Sequence, residues 1–291
     1  MKRFIFSFPE DDSLARALSL ISGLHLGKTK FGTYPDGESH CRILEDVGGS
    51  EIYLLCSLNR PNSKFLALIF FCETARSLGA LKIHLIAPYL CYMRQDSVFR
   101  QGEGITARYF ASLLSRYLDS LLTIDPHLHR IRNLDEIYSI PSKSLHSTSL
   151  ISDYILKEVE NPVLIGPDAE SIQWVKEVAE LSNAKFTVLE KIRKGDRDVE
   201  ISVPNLDRWK DFTPVLIDDI ISTGKTLLKT IEHLRDAKTK PAVCIGVHGI
   251  FVEHSYEELI NSGIKSLVTT NTIQHESNRI DVVKLLNENL F

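Results

Sequence analysis

The chain has 291 residues, 43% of them hydrophobic and 25% charged, which is enough apolar material for a folded core and more length than one ordinary core uses, so two domains are expected. Thirty-four basic against 38 acidic residues give a net charge of -4, which excludes a whole-molecule field drawing the protein to nucleic acid or an anionic membrane; any anion site must be local.

The basic start Met1-Lys2-Arg3 leads into an apolar run that is broken at Pro9, Glu10, Asp11 and Asp12, so neither a signal peptide nor a membrane span is expected, and a cytoplasmic location is. Val-, Ile- and Leu-rich runs at 3–8, 51–55, 82–87, 121–125, 162–165, 185–189, 214–217, 242–247 and 266–269 read as strands. Their near-continuous apolar character fits a parallel sheet covered on both faces. Amphipathic stretches at 62–78, 105–117, 169–181, 226–236 and 279–289 read as helices alternating with them, which makes the class α/β. The polar stretch 139–149 marks the expected boundary between domains 1–143 and 144–291, with the order of strand and helix repeated in each half. The five cysteines, Cys41, Cys56, Cys72, Cys91 and Cys244, are scattered and mostly sit in apolar segments, as small buried hydrophobes do.

The most informative run is Pro214-Val215-Leu216-Ile217-Asp218-Asp219-Ile220-Ile221-Ser222-Thr223-Gly224-Lys225-Thr226. It reads as a buried strand ending in paired acids, then a small-residue loop, then a helix start. A loop opening a helix presents unpaired N–H groups and the positive end of the helix dipole, which suits a phosphate monoester. Ser222, Thr223 and Thr226 add hydroxyls, and Gly224 allows close backbone approach. Asp218 and Asp219 can accept hydrogen bonds from sugar hydroxyls or face a divalent cation. Gly224-Lys225-Thr226 is not a nucleotide-binding Walker loop, because Asp219 stands where that motif needs its first glycine.

This run resembles the phosphoribosyl pyrophosphate loop of phosphoribosyltransferases and ribose-phosphate pyrophosphokinases, with Lys225 where the pyrophosphokinases usually carry glycine. Further resemblances select the pyrophosphokinases. Tyr34-Pro35-Asp36-Gly37-Glu38 is similar to the family's Phe-Ser-Asp-Gly-Glu and is also a good turn. Pro88-Tyr89-Leu90-Cys91-Tyr92-Met93-Arg94-Gln95-Asp96, after a strand, is similar to the family's Arg-Gln-Asp segment. Asp125-Pro126-His127 resembles Asp-Leu-His, with His129 close by.

In the second half Gly166-Pro167-Asp168 resembles the Pro-Asp loop, with Ala169, Glu170 and Ser171 in place of glycines. Glu190-Lys191-Ile192-Arg193 with Lys194-Gly195-Asp196-Arg197-Asp198 resembles the catalytic loop, in a form nearer the archaeal-type branch. His248-Gly249-Ile250-Phe251 and Thr270-Asn271-Thr272-Ile273 resemble segments near the family's C-terminus.

The resemblance implies two similar phosphoribosyltransferase-type domains, each a mostly parallel sheet flanked by helices, with the segment 279–290 packing on the first. It implies that ATP and ribose 5-phosphate are converted to phosphoribosyl pyrophosphate and AMP with Mg2+ as cofactor, by a homo-oligomer of dimers or their multiples. Lys191 and Arg193 are then catalytic. Tyr34, Asp36, Glu38, Arg94, Gln95, Asp96 and His127 serve ATP. Asp168, Asp218, Asp219, Ser222, Thr223, Gly224, Lys225 and Thr226 serve ribose 5-phosphate, and His127 and Asp168 face the metal. The alternatives are a phosphoribosyltransferase and a regulatory homologue without activity.

Overall fold

The computed structural model describes residues 1–168, 171–193, 199–203 and 206–291, and the side chains of these except 190–193, 199–202 and 206–207. The chain forms two compact units, the first made of 1–145, 272–274 and 283–291, the second of 146–271 and 275–282.

Unit 1 runs β1 (Arg3–Ser7), α1 (Asp12–Ser22), β2 (His25–Leu26), β3 (Thr29–Thr33), β4 (Ser39–Ile43), β5 (Glu51–Leu55), α2 (Phe65–Ser77), β6 (Lys82–Ala87), α3 (Thr106–Leu114), β7 (Ser120–Ile124) and β8 (Ser142–Leu145). Six of these strands make a parallel sheet in the order β2-β1-β5-β6-β7-β8, while β3 and β4 form a separate antiparallel hairpin. Every residue of β5 and β7 is buried, which is why both read as nearly continuous apolar runs.

Unit 2 runs α4 (Thr148–Glu158), β9 (Pro162–Gly166), α5 (Ile172–Leu181), β10 (Lys185–Val188), β11 (Glu190–Arg193), β12 (Val199–Ser202), β13 (Thr213–Ile221), α6 (Lys225–Asp236), β14 (Val243–Gly249), α7 (Ser255–Ile260), β15 (Ser266–Thr270) and β16 (Asn278–Ile280). Its sheet is parallel, in the order β10-β9-β13-β14-β15-β16, and β11 and β12 pair as an antiparallel hairpin. Strand for strand this is the order of unit 1, with the hairpin inserted at the same point. The chain is thus a duplicated fold, and the hairpin that carries Tyr34–Glu38 is the topological counterpart of the one that carries Lys191 and Arg193.

Leu227, Thr230, Ile231 and Leu234 recur at helical spacing on α6 and are buried, and the apolar three pack with Leu216, Cys244, Leu259 and Leu267. Each such aliphatic side chain contributes about 1.5–3 kcal/mol of burial, and this anchoring fixes where the first turn of α6 stands.

The helix expected over 279–289 is corrected by the structure. Asn278–Ile280 is β16, held to the sheet edge by Asn278 Nδ2 donating to Thr269 Oγ1 (2.9 Å) and Thr270 O (2.7 Å). Only Val283–Asn287 is helical, forming α8. Pairing with β15, as the edge strand of the sheet, overrides a local pattern that reads as helix. In unit 1, α8 packs against α1, Phe291 stacks on His84 at 5.5 Å between ring centroids, and Tyr53 donates to Phe291 O.

In open parallel sheets the ligand crevice lies beyond the carboxyl ends of the strands where the order reverses. For unit 1 that is β1 and β5, and the crevice is filled from within. Ser57 N donates to Asp11 Oδ2 (2.9 Å), and Lys64 Nζ donates to Ser57 O and Asn59 Oδ1, both at 2.7 Å. Burial pushes the Asp11 carboxyl up to about 7, against the lowering by the Ser57 N–H and the Lys64 charge.

A folded pKa above the unfolded one means that the stability contribution is present below about pH 4 and is lost as pH rises through 7. Asp11→Asn, which keeps an acceptor for Ser57, is therefore expected to raise Tm at pH 8 and to leave it unchanged near pH 4. Thermal melts at both pH values check this, and a lower Tm at pH 8 would show the charged form to be a net stabiliser through Lys64.

Candidate active site

The corresponding crevice of unit 2 lies beyond β9 and β13, and it is here that the acids and the small-residue loop are gathered. Val215, Leu216 and Ile217 are buried on both faces of the sheet, whereas Asp218 and Asp219 are partly exposed at the strand's carboxyl end. Asp218 stands opposite Gly246 of β14. Burial, then the adjacent Asp219, push the Asp218 carboxyl well above its ordinary value. Such a pair is strained as two bare anions, and it gains most from hydroxyl donors or a cation.

Beyond Ile221 the chain turns through Ser222 and Thr223 to Gly224, which caps α6 at φ 65°. A side chain there would be strained, and its Cβ would lie 2.9 Å from Leu259 Cδ1. Lys225 has helical backbone as the first residue of α6, so that place does not need a glycine for conformation. The first turn has no acidic residue and no side-chain cap hydrogen bond. Its N–H groups and dipole, with Lys225 added, form a local centre of positive potential suited to a phosphate.

Asp168 follows the end of β9. Its Oδ1 accepts from Ser171 N (3.2 Å), and Ser171 Oγ donates to Asp168 O (2.7 Å). Ser171 thus orients the acid, and Gly166 leaves room for its hydroxyl, since a Cβ there would lie 2.6 Å from Ser171 Oγ. Ala169 and Glu170 lie outside the described residues.

The hairpin of Lys191 and Arg193 starts at this same crevice, because Leu189 N donates to Gly166 O (3.0 Å). Lys191 pairs with Ile201 and Arg193 with Val199 along the backbone. Their side chains, and residues 194–198, lie outside the described set.

In unit 1, Tyr34, Asp36 and Glu38 are exposed at the tip of the β3–β4 hairpin. Tyr34 N donates to Glu38 O (2.8 Å), and Gly37 has φ 94°. Arg94, Gln95 and Asp96 follow β6, with Arg94 exposed and Asp96 buried. The structure joins this segment to the one after β7 through Arg130. Its N donates to Asp96 Oδ2 and its Nη1 to Asp96 Oδ1, each at 3.0 Å, and its guanidinium lies 5.4 Å from the Phe99 ring centre. Burial alone would raise Asp96, but these bonds and the Arg130 charge outweigh it and hold the carboxyl below its ordinary value.

Asp125 and His127 take left-handed φ of 38° and 51°, and His127 N donates to Asp125 O (2.9 Å). This tight turn, sterically costly for non-glycine residues, directly follows the end of β7 at Ile124. The His129 ring lies 4.3 Å from that of His127.

Residues 3–117 match the family model for the N-terminal domain of ribose phosphate pyrophosphokinase, and residues 133–283 match that for the phosphoribosyl transferase domain. The chain belongs to the ribose-phosphate pyrophosphokinase family. Among this family's members, a ribose-phosphate pyrophosphokinase of Sulfurisphaera tokodaii is 33% identical over 271 residues, covering 91% of each chain. Ribose-phosphate pyrophosphokinase 2 of Archaeoglobus fulgidus is 30% identical over 295 residues, covering 98% of this chain and 99% of its own. The fold matches the crystal structure of phosphoribosylpyrophosphate synthetase from Mycobacterium smegmatis with a TM-score of 0.86, at 21% identity over 99% of this chain and 97% of that one.

Two residues that contact candidate residues of this pyrophosphokinase-family chain carry no local sequence signal. Arg130 meets Asp96 across 34 positions, and Ser255 donates to Ser222 O across 33. Among the described residues no three or more His, Cys, Asp or Glu side chains gather as a metal cluster, and no helix is long and apolar enough to cross a membrane.

Proposed function

We propose that this chain transfers the β,γ-pyrophosphoryl group of ATP to the anomeric hydroxyl of ribose 5-phosphate, giving phosphoribosyl pyrophosphate and AMP. The observation that carries this reading is the strand–loop–helix unit 213–236, with paired acids followed by a helix start that has no side-chain cap, in a chain of this family.

Ser222–Thr226 take the 5-phosphate, with N–H groups and hydroxyls as donors and Lys225 as counter-charge. Asp218 and Asp219 accept from the ring hydroxyls, so sugar and phosphate are fixed together. Arg94 and Gln95 hold the nucleotide phosphates, His127 faces them, and the Arg130 bonds to Asp96 keep that segment in place. Tyr34, Asp36 and Glu38 complete the ATP set from the hairpin tip.

In the reaction the anomeric oxygen forms a bond to the β-phosphorus. The bond from that phosphorus to the oxygen it shares with the α-phosphorus breaks, AMP leaves with the electron pair, and the hydroxyl proton passes to water. Positioning and charge stabilisation dominate such transfers. Lys191 and Arg193 supply charge to the moving group.

Magnesium is the proposed cofactor. The residues present fit it: Asp168 is a hard oxygen donor oriented by the Ser171 N–H, and the ion keeps waters and phosphate oxygens, so it needs only one or two protein ligands and no cluster. Asp168 and His127 are assigned to it. When bound it neutralises phosphate oxygens.

AMP formation tests the proposal. AMP should appear only with ATP, ribose 5-phosphate and Mg2+ together, and chelation of the metal should abolish it. Absence of AMP under the full mixture, with pyrophosphate released from phosphoribosyl pyrophosphate and a base instead, would assign the chain to phosphoribosyl transfer.

A further inference from the structure

The segment after β14 lies against the phosphate loop and contacts it through the backs of two of its peptides. Ile221 O accepts from Ile250 N (3.0 Å) and from Phe251 N (3.2 Å), and Ser222 O accepts from Val252 N (3.2 Å) and from Ser255 Oγ (2.8 Å). A trans peptide is planar, with its C=O and N–H pointing in opposite directions. Holding the two carbonyls toward 250–255 therefore turns the N–H groups of Ser222 and Thr223 the other way, toward the loop's ligand face. Rotation of either peptide would instead present a carbonyl oxygen to an anion.

The segment is shaped for this. Phe251 and Glu253 take left-handed φ of 43° and 56°, conformations that cost non-glycine residues free energy and persist only when the surroundings over-determine them. Phe251 is held by Tyr256 at 5.2 Å and His275 at 4.6 Å between ring centroids. Its ring occupies the space that a side chain on Gly249 would fill, since a Cβ there would lie 2.5 Å from Phe251 Cε2. Ser255 itself is buried. The motif His248-Gly249-Ile250-Phe251 thereby acquires a physical reason: glycine admits the ring that sets the turn.

We propose that Ser255 is a positioning residue for ribose 5-phosphate, fixing through the Ser222 carbonyl the peptide whose N–H faces the 5-phosphate. The inference rests on the function proposed above and deepens it at one residue.

Ser255→Ala in the full-length protein is expected to raise the Kd of ribose 5-phosphate, and its KM, about three- to tenfold, the worth of one hydrogen bond. The KM for ATP and kcat should stay within about twofold. Ser255→Thr, which keeps the hydroxyl, should restore binding. Ser262→Ala is the control: Ser262 Oγ donates to Leu259 O at 2.6 Å just beyond the same helix, so its loss removes a comparable bond without touching the loop and should leave ribose 5-phosphate binding unchanged. Should Ser255→Ala fail to fold, Ser255→Cys, close in size with a weaker donor, is measured for the same rise.

Wild-type affinity in the alanine or cysteine variant, or equal weakening of both substrates, would overturn the assignment. A wild-type protein that neither binds ribose 5-phosphate nor forms AMP would instead overturn the function on which it rests.

Discussion

Lys191→Ala is expected to lower kcat by about two to three orders of magnitude, as loss of one preorganised positive donor does in charge-stabilised transfers, while ribose 5-phosphate binds within about threefold of wild type. The split follows from where the charge is needed. On the proposed function the ground-state sugar phosphate is held by the loop 222–226 and the paired acids, none of which involves β11. In the transition state negative charge spreads over the oxygens of the transferred group, and only a cation placed there responds to it.

The backbone supports this division. The root of the β11–β12 hairpin is tied by Leu189 N to the carbonyl at the end of β9 (3.0 Å), beside Asp168, and Leu189 is buried. The hairpin thus starts at the ligand crevice, and Lys191 comes two residues after that anchor. Steady-state kinetics together with calorimetric titration of ribose 5-phosphate check the split. Near wild-type turnover would remove Lys191 from the chemistry, and a parallel loss of affinity would make it a binding residue.

The parts of the fold that the sequence displays openly are those whose burial is two-sided. Tyr53–Leu55 and Ile83–Ala87 are buried residue after residue, so their strands stand out as apolar runs whatever their neighbours are. The hairpin Thr29–Thr33 with Ser39–Ile43 is different. Its residues are mostly exposed or half-buried, its pairing is antiparallel and local, and Thr-Lys-Phe-Gly-Thr has no periodicity to separate it from a loop. Strand β8 is four residues within a polar stretch and becomes a strand only through its pairing with β7.

The candidate site shows the same contrast. The acids and small residues of 218–226 can be read because their chemistry is local to one strand, loop and helix start. Arg130 and Ser255 cannot, because an arginine in a polar loop or a serine before Tyr256 is ordinary until the fold sets it against Asp96 or Ser222 O.

Asp218→Asn is expected to separate function from stability in opposite directions. Affinity for ribose 5-phosphate should fall about 100-fold, the worth of two hydrogen bonds from sugar hydroxyls to a carboxylate. The unliganded protein should nevertheless melt higher at neutral pH, by about 2–4 °C for each kcal/mol of charge burden removed.

The sign follows from the environment. Burial, then Asp219, raise the Asp218 carboxyl well above its ordinary value, so the folded state holds the proton more tightly than the unfolded chain does. Its contribution to stability is present below about pH 4 and is lost as pH rises through the raised value. Asparagine carries no such loss, so the difference in Tm should vanish in acid and grow toward neutrality.

If the acids take the sugar as proposed, ribose 5-phosphate acts on the same balance, because hydroxyl donors at Asp218 and Asp219 lower the pKa of Asp218 and give back stability that the unliganded protein lacks. Wild-type protein should therefore gain more in Tm from saturating ribose 5-phosphate than the variant does at its own saturation. Melts across pH, with and without the sugar phosphate, decide the matter: a variant that melts lower at neutral pH would make the Asp218 carboxylate a structural acceptor, and the assignment of the paired acids to sugar binding would fall with it.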